Sequence, residues 1–151
     1  MPLSDLDPAL TEVSRKIIGA SIEVHKTLGP GYPRAVYLGA LGEEMKREGV
    51  KYEVDKSFDV EYEDAVVGQV VADVFVDGRF IVKLMAEHTE IGTQPRSELR
   101  AQLRAADLEL GLIINFGERR LKDGLVRVLN PDKLNALRDD HDDDEYEDDE
   151  D

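Results

Sequence analysis

The sequence predicts one α/β domain whose elements follow in the order ααβββαββ, as in a mixed α/β sandwich. Two segments with apolar residues at helical spacing come first, and each ends at a glycine-containing break. Strand-like segments follow, two of them joined by Asp77-Gly78, which is a strong hairpin signal. A continuous apolar run at residues 110–116 is typical of a buried central strand, so the sheet is predicted to have a covered core.

The first helix is predicted over residues 8–28. Asp7 is suited to its N-cap, and Pro8 to its first helical position. The Gly-Pro-Gly segment at residues 29–31 ends it. One face of this helix carries small or apolar residues at helical spacing, namely Leu10, Val13, Ile17, Ser21, Val24 and Leu28.

The later elements are predicted from alternation, apolar runs and turn residues. Alternating polar and apolar residues around Phe58 indicate a strand, and a polar loop at residues 87–95 precedes the third long helix. The predicted ranges are a helix over 33–48, strands over 52–62, 66–76 and 79–86, a helix over 96–106, strands over 110–116 and 121–129, and a short helix over 131–137.

Charge divides the chain into two parts. Residues 139–151 hold 11 acidic residues and no Lys or Arg, and removing them from the net −15 leaves −4 for residues 1–138. We therefore predict a domain over residues 1–138 and a disordered acidic tail over residues 139–151, which acts as a self-repelling solubility segment. The alternative is an interaction arm for a basic partner. The acidic field disfavours binding to nucleic acid or to an anionic membrane.

Composition also limits the location and the chemistry. The chain has no cysteine, which excludes disulfides and thiolate metal sites. No apolar run approaches the roughly 20 residues that span a bilayer, and the N-terminus lacks the regions of a signal peptide. These features predict a cytoplasmic protein without membrane association.

One acidic residue stands out, because Asp73 lies in the otherwise apolar strand that leads to the hairpin. A carboxylate in such a place usually needs a charged partner or a metal ion. The return strand carries Lys83 and Met85. The alternative interpretation is that Asp73 is a solvated residue on an edge strand.

Five short segments carry a resemblance to a known family. They read KIIGA (16–20), EVH (23–25), LGPG (28–31), VY (36–37) and LIINFG (112–117). Together they resemble the bacterial GxxExxY protein family, which is assigned to the PD-(D/E)XK nuclease-like superfamily. The resemblance covers roughly residues 10–130. It implies a restriction-endonuclease-like α/β sandwich with a mixed sheet and, in active members, Mg²⁺-dependent cleavage of DNA.

The motif that names the family changes in this sequence. It contains a glycine, a glutamate three residues later and a tyrosine three residues after that. Gly31 and Tyr37 match, whereas Arg34 stands where the glutamate is expected. By this resemblance a carboxylate has been replaced by a cation.

The superfamily's other positions are also altered. Asp73 matches the central aspartate, but Lys83 and Met85 stand at the functional positions of the following Glu-x-Lys. A glutamine on the next helix, often followed by a tyrosine four residues later, corresponds to Glu98 and Gln102. The resemblance therefore implies that the catalytic positions are degenerate.

These changes point away from catalysis. In such nucleases carboxylates hold Mg²⁺ and a lysine stabilises charge. A cation at a ligand position removes an oxygen donor and repels the ion, and Met85 has no hydrogen to donate. We expect Asp73 to be neutralised by Lys83, Arg34 or both. The predicted function is assembly, binding or regulation through a protein partner or self-association, without metal or cofactor. The alternative is a Mg²⁺-dependent DNA endo- or exonuclease that uses Asp73 and displaced carboxylates such as Glu98.

Three further groups have an ordinary interpretation beside a functional one. His25 is expected to be a structural or surface residue, because the sequence supplies no partner for a general base. Glu87, His88 and Glu90 resemble a metal site, but a solvated polar loop is favoured. A stripe on the third long helix leaves a nucleic-acid binder open, although a solvated helix face is favoured. This stripe consists of Arg96, Arg100 and Arg104.

Overall fold

A five-stranded sheet with helices on both faces forms the centre of the protein. The computed structural model describes residues 8–133. Its helices are α1 (Pro8–Leu28), α2 (Arg34–Arg47) and α3 (Thr93–Ala106), and its strands are β1 (Tyr52–Tyr62), β2 (Ala65–Val76), β3 (Phe80–Met85), β4 (Leu110–Asn115) and β5 (Leu125–Leu129). The predicted order ααβββαββ is confirmed. None of the helices in this range is long and apolar enough to span a bilayer.

The sheet is mixed and its strands lie in sequence order, β1-β2-β3-β4-β5. Strands β3 and β4 pair in parallel, and the other neighbours are antiparallel. A parallel pair needs a crossover connection, and α3 supplies it. At the β2–β3 hairpin, Asp77 and Gly78 both have positive φ, of 53° and 64°. They are the two central residues of a turn closed by a hydrogen bond from the Arg79 N–H to the Val76 carbonyl, so the hairpin that their sequence predicts is present.

Two apolar clusters cover the two faces of the sheet. The first joins α1 and α2 to the sheet and includes Tyr37, Leu41 and Ile114. The second joins α3 to the opposite face and includes Leu99 and Ile113. Every residue of β4 is buried, because this strand is covered by helices on both sides. Its continuous apolar sequence follows from that position.

Two predicted boundaries are wrong. The helix expected over residues 96–106 begins at Thr93, because Pro95 falls in its first turn, where no backbone N–H has to be donated. The strand expected over residues 121–129 begins with a 3-10 turn at Leu121–Gly124. A Cβ on Gly124 would lie 2.4 Å from the Asn115 carbonyl oxygen, so the chain approaches β4 closely here before β5 starts.

Some predictions fall outside the described residues. They are the N-cap at Asp7, most of the terminal helix expected over residues 131–137, and the acidic tail over residues 139–151. Residues 131–133, the start of that terminal helix, are helical.

Candidate functional site

The site is built where β2 separates from β3. The two strands pair through Val74–Val82, Phe75–Ile81 and Val76–Phe80. Ala72 and Val74 are two residues apart in β2 and would be expected on the same face of the sheet. Instead, Ala72 belongs to the cluster under α3 and Val74 to the cluster under α1 and α2. The strand is therefore irregular at Asp73, where a side-chain hydrogen bond takes the place of the backbone pairing between β2 and β3. Because Asp73 accepts a hydrogen bond from Leu84 of β3 and its side chain is only 21% exposed, it is not the solvated edge residue of the alternative interpretation.

Three groups close this gap with a ring of hydrogen bonds. Oδ2 of Asp73 accepts from the Leu84 N–H at 2.9 Å. Oδ1 of Asp73 lies 3.1 Å from Nη2 of Arg34, and Nε of Arg34 donates to the Leu84 carbonyl at 3.0 Å. The guanidinium thus binds a carboxylate oxygen and a backbone oxygen at once, as its fork geometry allows. Sequence reasoning missed Leu84, because a backbone partner leaves no signal in residue type.

The turn before α2 fixes the position of Arg34, the first residue of that helix. The buried ring of Tyr37 stacks on Phe116 with centroids 4.7 Å apart. Its hydroxyl donates to the Gly29 carbonyl and accepts from the Tyr32 N–H. Gly31 has φ of 117°, a conformation open to glycine. Gly31 and Tyr37 therefore hold the turn that positions Arg34 as the first residue of α2.

Lys83 pairs with Glu98 and not with Asp73, which the sequence offered as its partner. Its Nζ lies 3.0 Å from Oε1 of Glu98 on α3, whereas α2, which carries Arg34, packs on the opposite face of the sheet. A hydrogen bond from Gln94, together with Lys83, holds the pKa of Glu98 below its usual value of 4.5, although burial opposes the shift. Of the two cations proposed for Asp73, Arg34 makes the contact.

Met85 and Gln102 complete the α3 side of the site. Met85 is half-buried against the apolar cluster under α3. Gln102 donates from Nε2 to the Val71 carbonyl at 3.2 Å, just before β2 reaches Asp73. Gln102 therefore ties α3 to the irregular part of β2.

The residues present do not fit a Mg²⁺ site. The Asp73 carboxylate and the Leu84 carbonyl are oxygen donors of the kind that Mg²⁺ prefers, but the Arg34 guanidinium is bonded to both. Within residues 8–133 no three His, Asp or Glu side chains gather in a way that could hold a metal ion. The arrangement is that of a protein cation between two oxygens.

The other candidate residues lie elsewhere. Nε2 of His25 is 2.8 Å from the Glu118 carbonyl, and because a carbonyl only accepts, this nitrogen carries the hydrogen. Glu87, His88 and Glu90 have exposed side chains in the loop after β3. None of these groups contacts Asp73 or Lys83 among the described interactions, and His25 serves to join α1 to the turn after β4.

The Asn-Phe-Gly segment after β4 has a structural role that the sequence did not disclose. The buried Asn115 accepts at Oδ1 from the N–H groups of Glu87, at 2.8 Å, and Gly117, at 3.1 Å. Its Nδ2 donates to the Thr89 carbonyl at 3.0 Å. A Cβ on Gly117 would lie 2.2 Å from the Glu87 carbonyl oxygen. The Asn-Phe-Gly segment therefore holds in place the loop after β3, which lies next to the candidate site.

Comparison with known proteins supports the same fold. A family model described as the PD-(D/E)XK nuclease superfamily matches residues 11–128, from α1 into β5. No curated protein and no solved structure gave a match.

Proposed function

The chain belongs to the PD-(D/E)XK nuclease superfamily, and we propose that it is a non-catalytic member of that superfamily. In this proposal it acts by binding another protein or a second copy of itself. Within the superfamily we place it with the GxxExxY proteins, with a degenerate active site. The observation that carries the proposal is the Arg34 guanidinium, which is bonded to both the Asp73 carboxylate and the Leu84 carbonyl.

The chemistry of this cation supports an inactive site. Arginine stays protonated throughout the accessible pH range, so Arg34 cannot become a neutral ligand. A divalent ion beside Asp73 would have to displace the guanidinium and tolerate its charge nearby. Lys83 is engaged by Glu98, and Met85 offers no hydrogen to a phosphate. No described group at this site is arranged to hold Mg²⁺ and activate water.

A metal-binding and cleavage assay tests the absence of catalysis. We expect isothermal calorimetry of the full chain with MgCl₂ or MnCl₂ to give no saturable heat in the millimolar range, and supercoiled plasmid to remain uncut with either ion. Asp73→Asn is the matched control, because it removes the one superfamily carboxylate with little change in volume. Metal-dependent nicking that Asp73→Asn abolishes would contradict the proposal and favour the displaced-carboxylate nuclease.

The β1–β2 hairpin supports a binding role. Residues 65–72 of β2, AVVGQVVA, carry no charge, and within the described chain this stretch pairs with β1 on one edge and with no strand on the other. Three of its valines are among the exposed large apolar residues, namely Val66, Val67 and Val71, at 58%, 60% and 48% exposed. Apart from the Val71 carbonyl, which accepts from Gln102, this edge is uncharged and carries exposed apolar side chains, so it is a template for pairing with another strand.

Sedimentation velocity tests the self-association form of this role. We expect the full chain to show a concentration-dependent monomer–dimer equilibrium, because two copies of the uncharged stretch can pair antiparallel. The double substitution Val66→Lys/Val67→Lys places charge on the edge and is expected to give a monomer. Ile22→Lys, at an exposed apolar position of α1, is the matched control and should leave the dimer intact. A monomer at every concentration for the unsubstituted chain would exclude self-association.

A further inference from the structure

The outer part of the β1–β2 hairpin exposes valines and carboxylates in two neighbouring rows. Val66 of β2 lies opposite Glu61 of β1, and Gln69 lies opposite Asp59. Directly opposed residues of an antiparallel pair share a face of the sheet, and so do residues two apart in one strand, which places Val71 on this face as well. All of these side chains are exposed. We call Val66 and Val71 the valine row, and Asp59 and Glu61 the carboxylate row.

The valine row lies on the strand that has the open edge. Residues 65–70 of β2 pair with β1 on one side and, within residues 8–133, with no strand on the other. A strand added there lies about 4.8 Å from β2 and about twice that distance from β1. Its side chains on the exposed face therefore meet the valine row first and the carboxylate row beyond it.

Lysine and arginine have the shape that this face requires. Both carry an aliphatic stem that packs on apolar surface and a charged end that stays in water. A stem that lies across Val66 or Val71 brings its cation toward Glu61 or Asp59. Because side chains of a strand alternate between its faces, the matching segment has Lys or Arg at every second position.

The charge of the hairpin also favours a basic partner over a second copy. Residues 52–72 contain six Asp and Glu but one Lys and no Arg. In a second copy, residues 65–72 have no cation to place over the valine row, and its own hairpin is equally acidic. Like charges then lie on both sides of the new pairing and repel each other. Self-association through this edge is therefore expected to be the weaker interaction.

We propose that the open edge of β2 binds an extended segment of another protein that has Lys or Arg at alternate positions. The segment adds a strand beside residues 65–70 and directs its cations across the valine row to Asp59 and Glu61. The Gln69 amide already orients the Asp59 carboxylate, because it donates to Oδ1 at 2.9 Å. This inference rests on the binding role proposed above for the edge and specifies the chemistry of the partner.

Fluorescence anisotropy with three labelled peptides tests this chemistry on the full-length protein. Each peptide has about nine residues, within the usual length of a strand. The first alternates lysine with threonine, the second has the same composition with its lysines in one block, and the third replaces lysine by glutamate. We expect the alternating lysine peptide to bind at least about tenfold more tightly than either of the others. In amide spectra it should shift the resonances of residues 65–70 and leave those of α1 unchanged.

Charge variants provide the matched comparison. Asp59→Asn/Glu61→Gln neutralises the carboxylate row but keeps the oxygen that accepts from Gln69, and we expect it to weaken binding of the alternating lysine peptide about tenfold. Glu12→Gln/Glu23→Gln neutralises two exposed carboxylates of α1 and should leave the binding unchanged. The amide spectrum of each variant shows whether it is folded. Equal weakening by both double substitutions would indicate attraction by net charge alone and would overturn the proposal.

The outcomes distinguish this inference from the proposed binding role of the edge. Equal affinity for lysine and glutamate peptides, with the same shifts in β2, would overturn the preference for a basic partner and leave the binding role intact. Absence of peptide binding would also overturn the preference, while sedimentation velocity decides separately whether the edge pairs with a second copy. The alternating lysine peptide should dissociate a dimer formed through β2, because both occupy one edge. A dimer that resists it would show that a second copy is the preferred occupant.

Discussion

Arg34→Glu is expected to lower the free energy of unfolding by about 3 kcal/mol in EDTA and to regain much of it in millimolar Mn²⁺. The substitution removes the cation that bridges Asp73 and Leu84 and places a second carboxylate beside the first. Without metal the two negative charges repel each other. With metal, two carboxylates and the Leu84 carbonyl supply three oxygen ligands around one point.

The recovery follows from mass action, because an ion that binds the folded state alone stabilises it. At 100 times the dissociation constant the gain is about 2.7 kcal/mol. Urea unfolding with EDTA and with MnCl₂ measures both values. Lys83 need not be changed in this experiment, since Glu98 on the α3 side already engages it.

Arg34→Gln is the matched control for this prediction. It loses the same guanidinium without adding a carboxylate, so we expect a smaller loss of about 2 kcal/mol and no response to Mn²⁺. Both side chains of the pair are partly exposed, at 40% for Arg34 and 21% for Asp73, which keeps these values below those of a fully buried pair. If Arg34→Glu does not respond to metal, the guanidinium does not occupy a cation site; a response in the unsubstituted protein would contradict the proposed function.

The sequence predicted the positions of the elements well, because periodicity and turn residues are local. The bounds of α1 and β1 agree with their predicted ranges, and Asp77-Gly78 forms the expected hairpin turn. The helix that begins at Thr93 was predicted too short, because proline is tolerated in a first turn. The 3-10 turn at Leu121 was missed, because the contact that requires it is distant in sequence. Gly124 is an example, because its need for a glycine comes from the backbone of β4.

The candidate site was only partly predictable for the same reason. Residue types suggested that Asp73 would meet a cation, but they did not distinguish Arg34 from Lys83. The choice depends on which face of the sheet each helix covers, and α2 and α3 lie on opposite faces. The Leu84 backbone contributes both its N–H and its carbonyl, and no sequence pattern marks such a contribution.

The charges at the candidate site are paired. Lys83 and Glu98 form one ion pair. Arg34 and Asp73 form the second pair. A site with paired charges costs less to fold than one with an unpaired charge, because no ion is left without a partner. The site is therefore compatible with a stable protein that has no metal.

Asn115→Leu is expected to lower the free energy of unfolding by about 4 kcal/mol, the largest effect of a single substitution that we predict. The leucine has nearly the same size, but it leaves the N–H groups of Glu87 and Gly117 and the carbonyl of Thr89 without their partner. Each buried group that loses its hydrogen bond costs about 1–3 kcal/mol. Urea unfolding measures the change through the midpoint, and an unchanged slope shows that the compactness of the folded state is kept.

Asn115→Asp distinguishes the two hydrogen bonds that the Asn115 side chain accepts from the one that it donates; together these three bonds form what we call the Asn115 clamp. The aspartate keeps an oxygen that accepts from Glu87 and Gly117 but cannot donate to the Thr89 carbonyl. Because its carboxylate is also buried and faces the Thr89 carbonyl, we expect it to lose about as much stability as Asn115→Leu although it keeps both accepted bonds. The comparison therefore shows that the amide donor matters as well as the two accepted bonds, which join the end of β3 to the turn after β4. A loss below about 1 kcal/mol for Asn115→Leu would show that water satisfies these groups and that the clamp is not what holds the loop beside the site.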